Sequence, residues 1–288
     1  MTRVAREQLR DALDHLVAVE GKRERRVHEA RKCMKRLRGL VRLVRYDLGE
    51  DNYLRENATF RDAANLMSGL RDAAVRVQTL DKLIEYCGTN VPRSLFSSVR
   101  WWLVQRRRSA YTVSTDGRAV QQAVGELEHS YARASAWSIS DDDWLGLSTG
   151  LKRIYARGRR EYGEVYREPS NEGFHDWRKS VKYLWYHSQL LNAGNPQMFD
   201  VIAAELDHLG EVLGDDHDLV LLEKTLADEY PKGIGPSTTR ALRTRISAMR
   251  RQLRRTARAL GSRVYVEKPR AFEARLQARW RERADYSQ

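Results

Sequence analysis

The sequence predicts an all-α fold in which one helical unit occurs twice. Three observations predict it. Apolar residues recur at intervals of three and four, glycine and proline are sparse at 18 and 6 in 288 residues, and one ten-residue pattern appears in both halves. Leu9, Leu13 and Leu16 mark a first helix, and His28 to Leu48 a second. A long third helix runs from about Tyr53 to Tyr86 with a break near Arg71, and a fourth follows Pro92, a residue suited to a helix's first turn. Gly21, Gly49 and the stretch from Cys87 to Pro92 supply the interruptions. A further helix covers about Arg118 to Ala136. Beyond it, Ser140 and Asp141 to Asp143 read as an N-cap and an acidic first turn matched to the helix dipole.

The second set of helices repeats the first in register. His28, Arg31, Lys32, Lys35 and Leu37 recur as His175, Arg178, Lys179, Lys182 and Leu184, which writes H-x-x-R-K-x-x-K-x-L twice at a displacement of 147 residues. Glu29 and Asp176 pair at the same displacement, as do Arg93, Leu95, Arg107 and Arg108 with Arg240, Leu242, Arg254 and Arg255. A looser match, one residue out of step, sets Arg71 and Asp72 against His217 and Asp218. The expected architecture is therefore two tandem four-helix bundles related by internal duplication and packed about a pseudo-twofold axis, in a single domain over residues 1–288. Repeat one covers about 4–113, a connector helix about 114–140 and repeat two about 141–266, with a terminal helix at about 268–287 outside the repeat.

Composition narrows the class. With 41% hydrophobic and 32% charged residues the chain can bury one large core or two smaller ones, and no apolar run approaches the roughly 20 residues that cross a bilayer. The first turns carry Arg3, Arg6, Glu7, Arg10, Asp11 and Asp14 among the apolar positions, unlike a secretory leader, so a cytoplasmic location is expected. Cys33 and Cys87 lack the spacing of a disulfide framework, a metal site or a redox pair and read as buried small hydrophobes. No cofactor is implied. The 52 Lys and Arg against 39 Asp and Glu leave a formal charge of +13, a field that favours encounter with anions.

The distribution of that charge is more informative than its sum. At about 100° per residue, His28, Arg31, Lys32, Lys35, Arg38 and Arg42 share one side of their helix, opposite Met34, Leu37, Val41, Val44 and Leu48. The second copy repeats the stripe with His175, Arg178, Lys179 and Lys182, while Trp185 and Gln189 replace two basic positions. On the fourth helix of the second set, Arg240, Arg243, Arg250, Arg251, Arg254, Arg255 and Arg258 share a side. No Asp or Glu occurs from Tyr230 to Val266, nor from Tyr86 to Thr115, where Arg93, Arg100, Arg106, Arg107 and Arg108 lie. Solvated helix faces usually interleave signs, because like charges one turn apart repel. One such helix reads as a solvated face; four in two matched pairs point to an external anion as countercharge. The planar guanidinium fork suits phosphate in particular. Crowding by cations disfavours the imidazolium, so His28 and His175 are expected neutral, each donating one N–H. Asp72 and Asp218, with His217 beside the latter, read either as groups that hold those side chains in place or as local helix caps.

The duplicated motif at His28 to Leu37 and His175 to Leu184, with Arg71-Asp72 and His217-Asp218 downstream, resembles the CHAD family, the conserved-histidine α-helical domain. The likeness covers nearly the whole chain. It implies two helical bundles around a basic central cavity that binds inorganic polyphosphate without catalysis and can bring members to polyphosphate granules. It also implies His28, Arg31, Lys32, Lys35, His175, Arg178, Lys179 and Lys182 as ligand contacts. Some relatives carry a triphosphate tunnel domain with a strand-borne E-x-E-x-K, but here Glu126-x-Glu128 is followed by His129 and Ser130 in a helical context.

Two other classes remain open at this point. His175-Asp176, His217-Asp218, Asp215 and Asp216 could belong to a metal-dependent phosphohydrolase of the HD kind, although Arg178, Lys179 and Lys182 on the same face are poor neighbours for a cation. Trp101, Trp102, Tyr183 and Trp185 beside basic residues could stack nucleic-acid bases as a secondary partner. Trp102 shares the apolar side with Leu95 and Val99, which favours packing, and no zinc-finger spacing or glycine-rich phosphate loop is present.

Overall fold

The computed structural model describes residues 1–20, 22–88, 94–113, 117–139, 144–192, 196–229 and 235–286. Among the described residues the fold is all-helical. The helices are α1 (Thr2–Val17), α2 (Arg23–Leu43), α3 (Arg45–Leu48), α4 (Glu50–Leu66), α5 (Ser68–Cys87), α6 (Ser94–Val113), α7 (Arg118–Ala134), α8 (Trp144–Arg167), α9 (Asn171–Asn192), α10 (Pro196–Asp228), α11 (Pro236–Val264) and α12 (Pro269–Tyr286). The long third helix of the sequence breaks at Met67, four residues before Arg71, to give α4 and α5. The second helix turns at Val44 instead of running unbroken to Leu48. The cap expected at Ser140 and Asp141 to Asp143 and the basic position Arg93 lie outside the described residues. No helix among the described residues is long and apolar enough to cross a membrane.

Helix α1 packs on α2 and α7, α4 on α2 and α7, α8 on α9 and α12, and α10 on α9, α11 and α5. Among the described residues two apolar cores result, and each draws on both halves of the chain. The larger takes Leu9, Leu37 and Phe60 from the first half with Tyr155, Trp177, Leu184 and Phe272 from the second. The smaller joins Leu80 and Leu83 of α5 and Phe96 and Val99 of α6 to Leu219 and Leu222 of α10 and Leu242 and Ile246 of α11. The 33-residue α10 serves both, contributing up to Leu213 to the larger and from Leu219 to the smaller. Between these stretches stand Gly214, Asp215, Asp216, His217 and Asp218, a polar belt at the junction of the cores.

The two motif-bearing helices, α2 and α9, touch where Gly39 leaves room. A Cβ on Gly39 would stand 2.7 Å from the Tyr186 Cβ, so glycine sets the approach. His187, fully buried, hydrogen-bonds the Gly39 carbonyl through Nε2 at 3.0 Å. A carbonyl only accepts, so Nε2 carries a proton. Helix α2 meets α8 closer still: a Cβ on Gly150 would stand 2.0 Å from the Leu43 carbonyl oxygen.

Backbone cannot yield as a flexible side chain does, so Gly150→Ala is expected to lower stability by about 3 kcal/mol. The exposed Gly163 on the same helix has nothing near its missing Cβ, and Gly163→Ala should be neutral or stabilise by about 0.5 kcal/mol. Chemical denaturation of the two variants measures both. Burial holds the His187 imidazole down to about 3 against an ordinary 6.5. The unfolded chain binds this proton below pH 6.5 and the folded chain does not, so this stability is complete above 6.5 and is lost progressively towards pH 3. Going from pH 7.5 to 5 should cost on the order of 2 kcal/mol from this residue alone, read as a fall in unfolding free energy that His187→Gln diminishes.

Candidate anion-binding cleft

Because α2 and α9 are clamped side by side, their basic stripes open into one cleft of about 580 Å³ walled by α5 and α10. Helix α2 contributes His28, Lys32, Lys35 and Arg38, and α9 contributes Arg178, Lys179, Lys182, Tyr183, Trp185 and Tyr186. Lys82 enters from α5, and Gly210, Glu211, Gly214, Asp215 and Asp218 from α10. Seven Lys and Arg side chains thus face three carboxylates. Gly210 and Gly214, one turn apart, form a shallow seat. A Cβ at Gly210 would stand 2.8 Å from the Lys182 Cε, and one at Gly214 3.6 Å from the Arg178 Nε.

Four of the lysines are held in place by acids, two of them by neighbours on the same helix. Lys32 pairs with Glu29 at 2.8 Å, and Lys179 pairs with Asp176 in the equivalent i,i+3 arrangement. Lys82 meets Asp215 at 2.7 Å across the cleft wall, which holds its ammonium above the usual lysine range. Lys182 lies 3.5 Å from Asp207 and 4.7 Å over the Trp185 ring, and burial pushes its ammonium down. A charge that resists desolvation in this way gains from an anion brought to it.

Several predicted ligands stand elsewhere. Arg31 is buried and donates to the Ala64 carbonyl at the end of α4, whereas its counterpart Arg178 faces the cleft. Arg42 lies 4.1 Å over the Tyr183 ring and donates to Asn57 at 2.5 Å. Gln189 is exposed. His28 is exposed at the cleft mouth, but His175 turns to His217, with ring centroids 4.4 Å apart. Burial, then Arg178 and His175, hold His217 down to about 4, and burial with Lys179 and Arg178 lowers His175. Both rings are neutral at pH 7, and the His175 Nδ1 is buried without a hydrogen-bond partner among the described residues. Asp72 is exposed on α5, while Asp218 reaches the cleft.

The arginines of α6 and α11 do not line the cleft. Arg250 and Arg254 turn instead to Asp216, which is 2% exposed, at 2.9 Å and 3.2 Å, and both also donate to Asn171. Arg254 further covers Phe174 at 4.0 Å, and Arg258 covers Tyr166 at 5.2 Å. Arg100 pairs with Asp81 at 2.7 Å, and Arg106 pairs with Glu229. For Arg100, Arg106, Arg250 and Arg254 the countercharge comes from within the protein, on α5, on α10 and just past its end, so for them an acid-free stretch of sequence did not require an external anion. Arg107, Arg108, Arg240, Arg243, Arg251 and Arg255 are exposed. Trp102 packs on the smaller core, and Trp101 is exposed.

The acids considered as metal donors are engaged likewise: Asp176 with Lys179, Asp215 with Lys82, and Asp216 with two arginines. Among the described residues no group of three or more His, Cys, Asp or Glu side chains is placed to hold a metal ion. Lys82, Glu211 and Tyr186 are cleft residues that sequence reasoning missed. None belongs to the repeated motif, and the residue 147 places after Lys82 is Glu229.

Removing Asp216 would leave two guanidiniums facing one another across a poorly hydrated gap. Asp216→Ala should therefore cost about 3 kcal/mol, at the low end for a broken buried pair because both arginines keep some access to water. Asp215→Asn, at the more open pair with Lys82, should change stability by less than about 1 kcal/mol, and thermal unfolding of the two variants compares them.

A family model described as CHAD domain matches residues 3–227. None of the curated proteins matches the chain.

Proposed function

The chain belongs to the CHAD domain family, and from that premise we propose that it binds inorganic polyphosphate, without catalysis, in the cleft between α2 and α9. One observation carries the reading: both copies of the motif, 147 residues apart in sequence, deliver Lys and Arg side chains to the same cavity. A linear phosphate polymer presents a charge on every unit, and a row of cations from two helices matches it where a single small anion would meet only one or two. The cavity lies within the roughly 300–1,000 Å³ usual for ligand sites. Tethering to a polyphosphate granule would follow from such binding.

Pseudo-twofold symmetry is part of the same reading. Gly39 and Tyr186 are equivalent positions, 147 residues apart, and they touch each other, as residues on a twofold axis must. The connector and terminal helices belong to the duplication too. Displacing 118–134 by 147 gives 265–281, which falls largely on α12, and α7 packs on α1 as α12 packs on α8. Each repeat then has five helical segments rather than four, with α4 and α5 together answering to the unbroken α10.

Competition among long-chain polyphosphate, RNA and DNA at matched phosphate concentration, run at several salt concentrations, tests the reading. Polyphosphate should win, and its affinity should fall as salt rises because bound counterions are released. RNA or DNA competing equally well would favour a general polyanion binder that stacks bases on Tyr183, Trp185 and Tyr186. Reversing Lys32, Lys35 and Lys179 to Glu should weaken binding by tenfold or more with helicity intact, roughly the effect of losing several charge-assisted contacts, and unchanged binding would remove the cleft from the site. Arg31 is left out because its reversal would bury a carboxylate against a carbonyl.

A further inference from the structure

Helix α11 carries a second row of cations that the cleft does not use. Arg240, Arg243, Thr244, Ser247 and Arg251 line an open groove of about 780 Å³ along its outer side. These three arginines are exposed, and among the described residues none forms an ion pair with a carboxylate, in contrast to Arg250 and Arg254 on the adjoining side. The groove and the cleft share no lining residue, and α10 meets both the cleft and α11. Asp215 and Asp218 of that helix face the cleft, whereas Asp216 between them faces α11.

We propose that this side of α11 is a second, independent contact for phosphate polymers, so that one long chain engages the protein at two places. Arginine is the cation suited to paired hydrogen bonds with phosphate oxygens, and the Ser247 hydroxyl adds another donor. From Arg240 to Arg251 the helix rises about 16 Å. Charges strung over that length suit a polymer, whereas a small phosphate reaches the neighbouring Arg240 and Arg243 without Arg251. Across the groove the helix supplies no acid, since none occurs from Tyr230 to Val266. The inference rests on the polyphosphate reading for its ligand class but uses different residues, so the two can fail separately.

Binding of long-chain polyphosphate and of tripolyphosphate to three triple variants of the full chain tests it. Arg240, Arg243 and Arg251 to Gln, which keeps helix propensity, should lower long-chain affinity about tenfold and leave tripolyphosphate binding unchanged. Arg167, Arg270 and Arg279 to Gln removes the same charge from exposed positions elsewhere and should lower long-chain affinity less than twofold. Reversal of Lys32, Lys35 and Lys179 to Glu should weaken both ligands. Long-chain binding within twofold of the unaltered protein in the first variant overturns the second contact, as does an equal loss in the second. Loss in the first variant with none in the third upholds the α11 contact and defeats the cleft.

Discussion

Seven cationic side chains crowd one cleft, and like charges at such spacing repel by amounts on the order of kilocalories per mole even at an intermediate dielectric. What holds them there is the contact between α2 and α9. Gly39 admits Tyr186, the buried His187 donates to the Gly39 carbonyl, and Gly150 brings α8 against the backbone of α2. These contacts are of backbone with rings and with backbone, carry no net charge and do not depend on salt. The helices are positioned by neutral packing, and repulsion at the surface they present is left for a ligand to relieve.

The arginines divide by whether an internal acid reaches them. Arg250 and Arg254 close on the buried Asp216 and join α11 to α10, and Arg133 closes on the fully buried Glu56 to join α7 to α4. Those pairs tie the helices around the cleft together and are unavailable to a ligand without leaving a carboxylate buried alone. Lys32, Lys179 and Lys182 have partially exposed partners instead, which an incoming phosphate can displace at small cost. The polar belt of α10 serves both purposes: Asp216 faces inward to the arginines, Asp218 and Asp215 face the cleft, and His217 meets His175.

Much of this was legible in the order of residues. The 3.6-residue period placed the helices, because an apolar stripe has to bury and therefore repeats with the helix turn. The recurrence of His28 to Leu37 at His175 to Leu184 identified the two helices that meet at the cleft. The stripes of α2 and α9 follow from the helix period, but a stripe records direction around one helix and says nothing about the neighbour. Arg31 and Arg178 hold the same motif position, yet α4 covers the first and the cleft opens beside the second. Helices α7 and α12 share no conspicuous motif, and their packing on α1 and α8 is visible only in the structure.

By itself the sequence determined the helical class, the duplication, the positive balance and the side of each helix that is basic, since all of these follow from residue type and spacing along one chain. Only the tertiary structure decided which basic sides share a cavity, that both cores draw on both halves, and that Asp216 neutralises arginines 34 and 38 residues away in sequence. The physical reason is that an acid and a base pair by distance in space, so an acid-free segment such as Tyr230 to Val266 can be neutralised in part by a helix that precedes it.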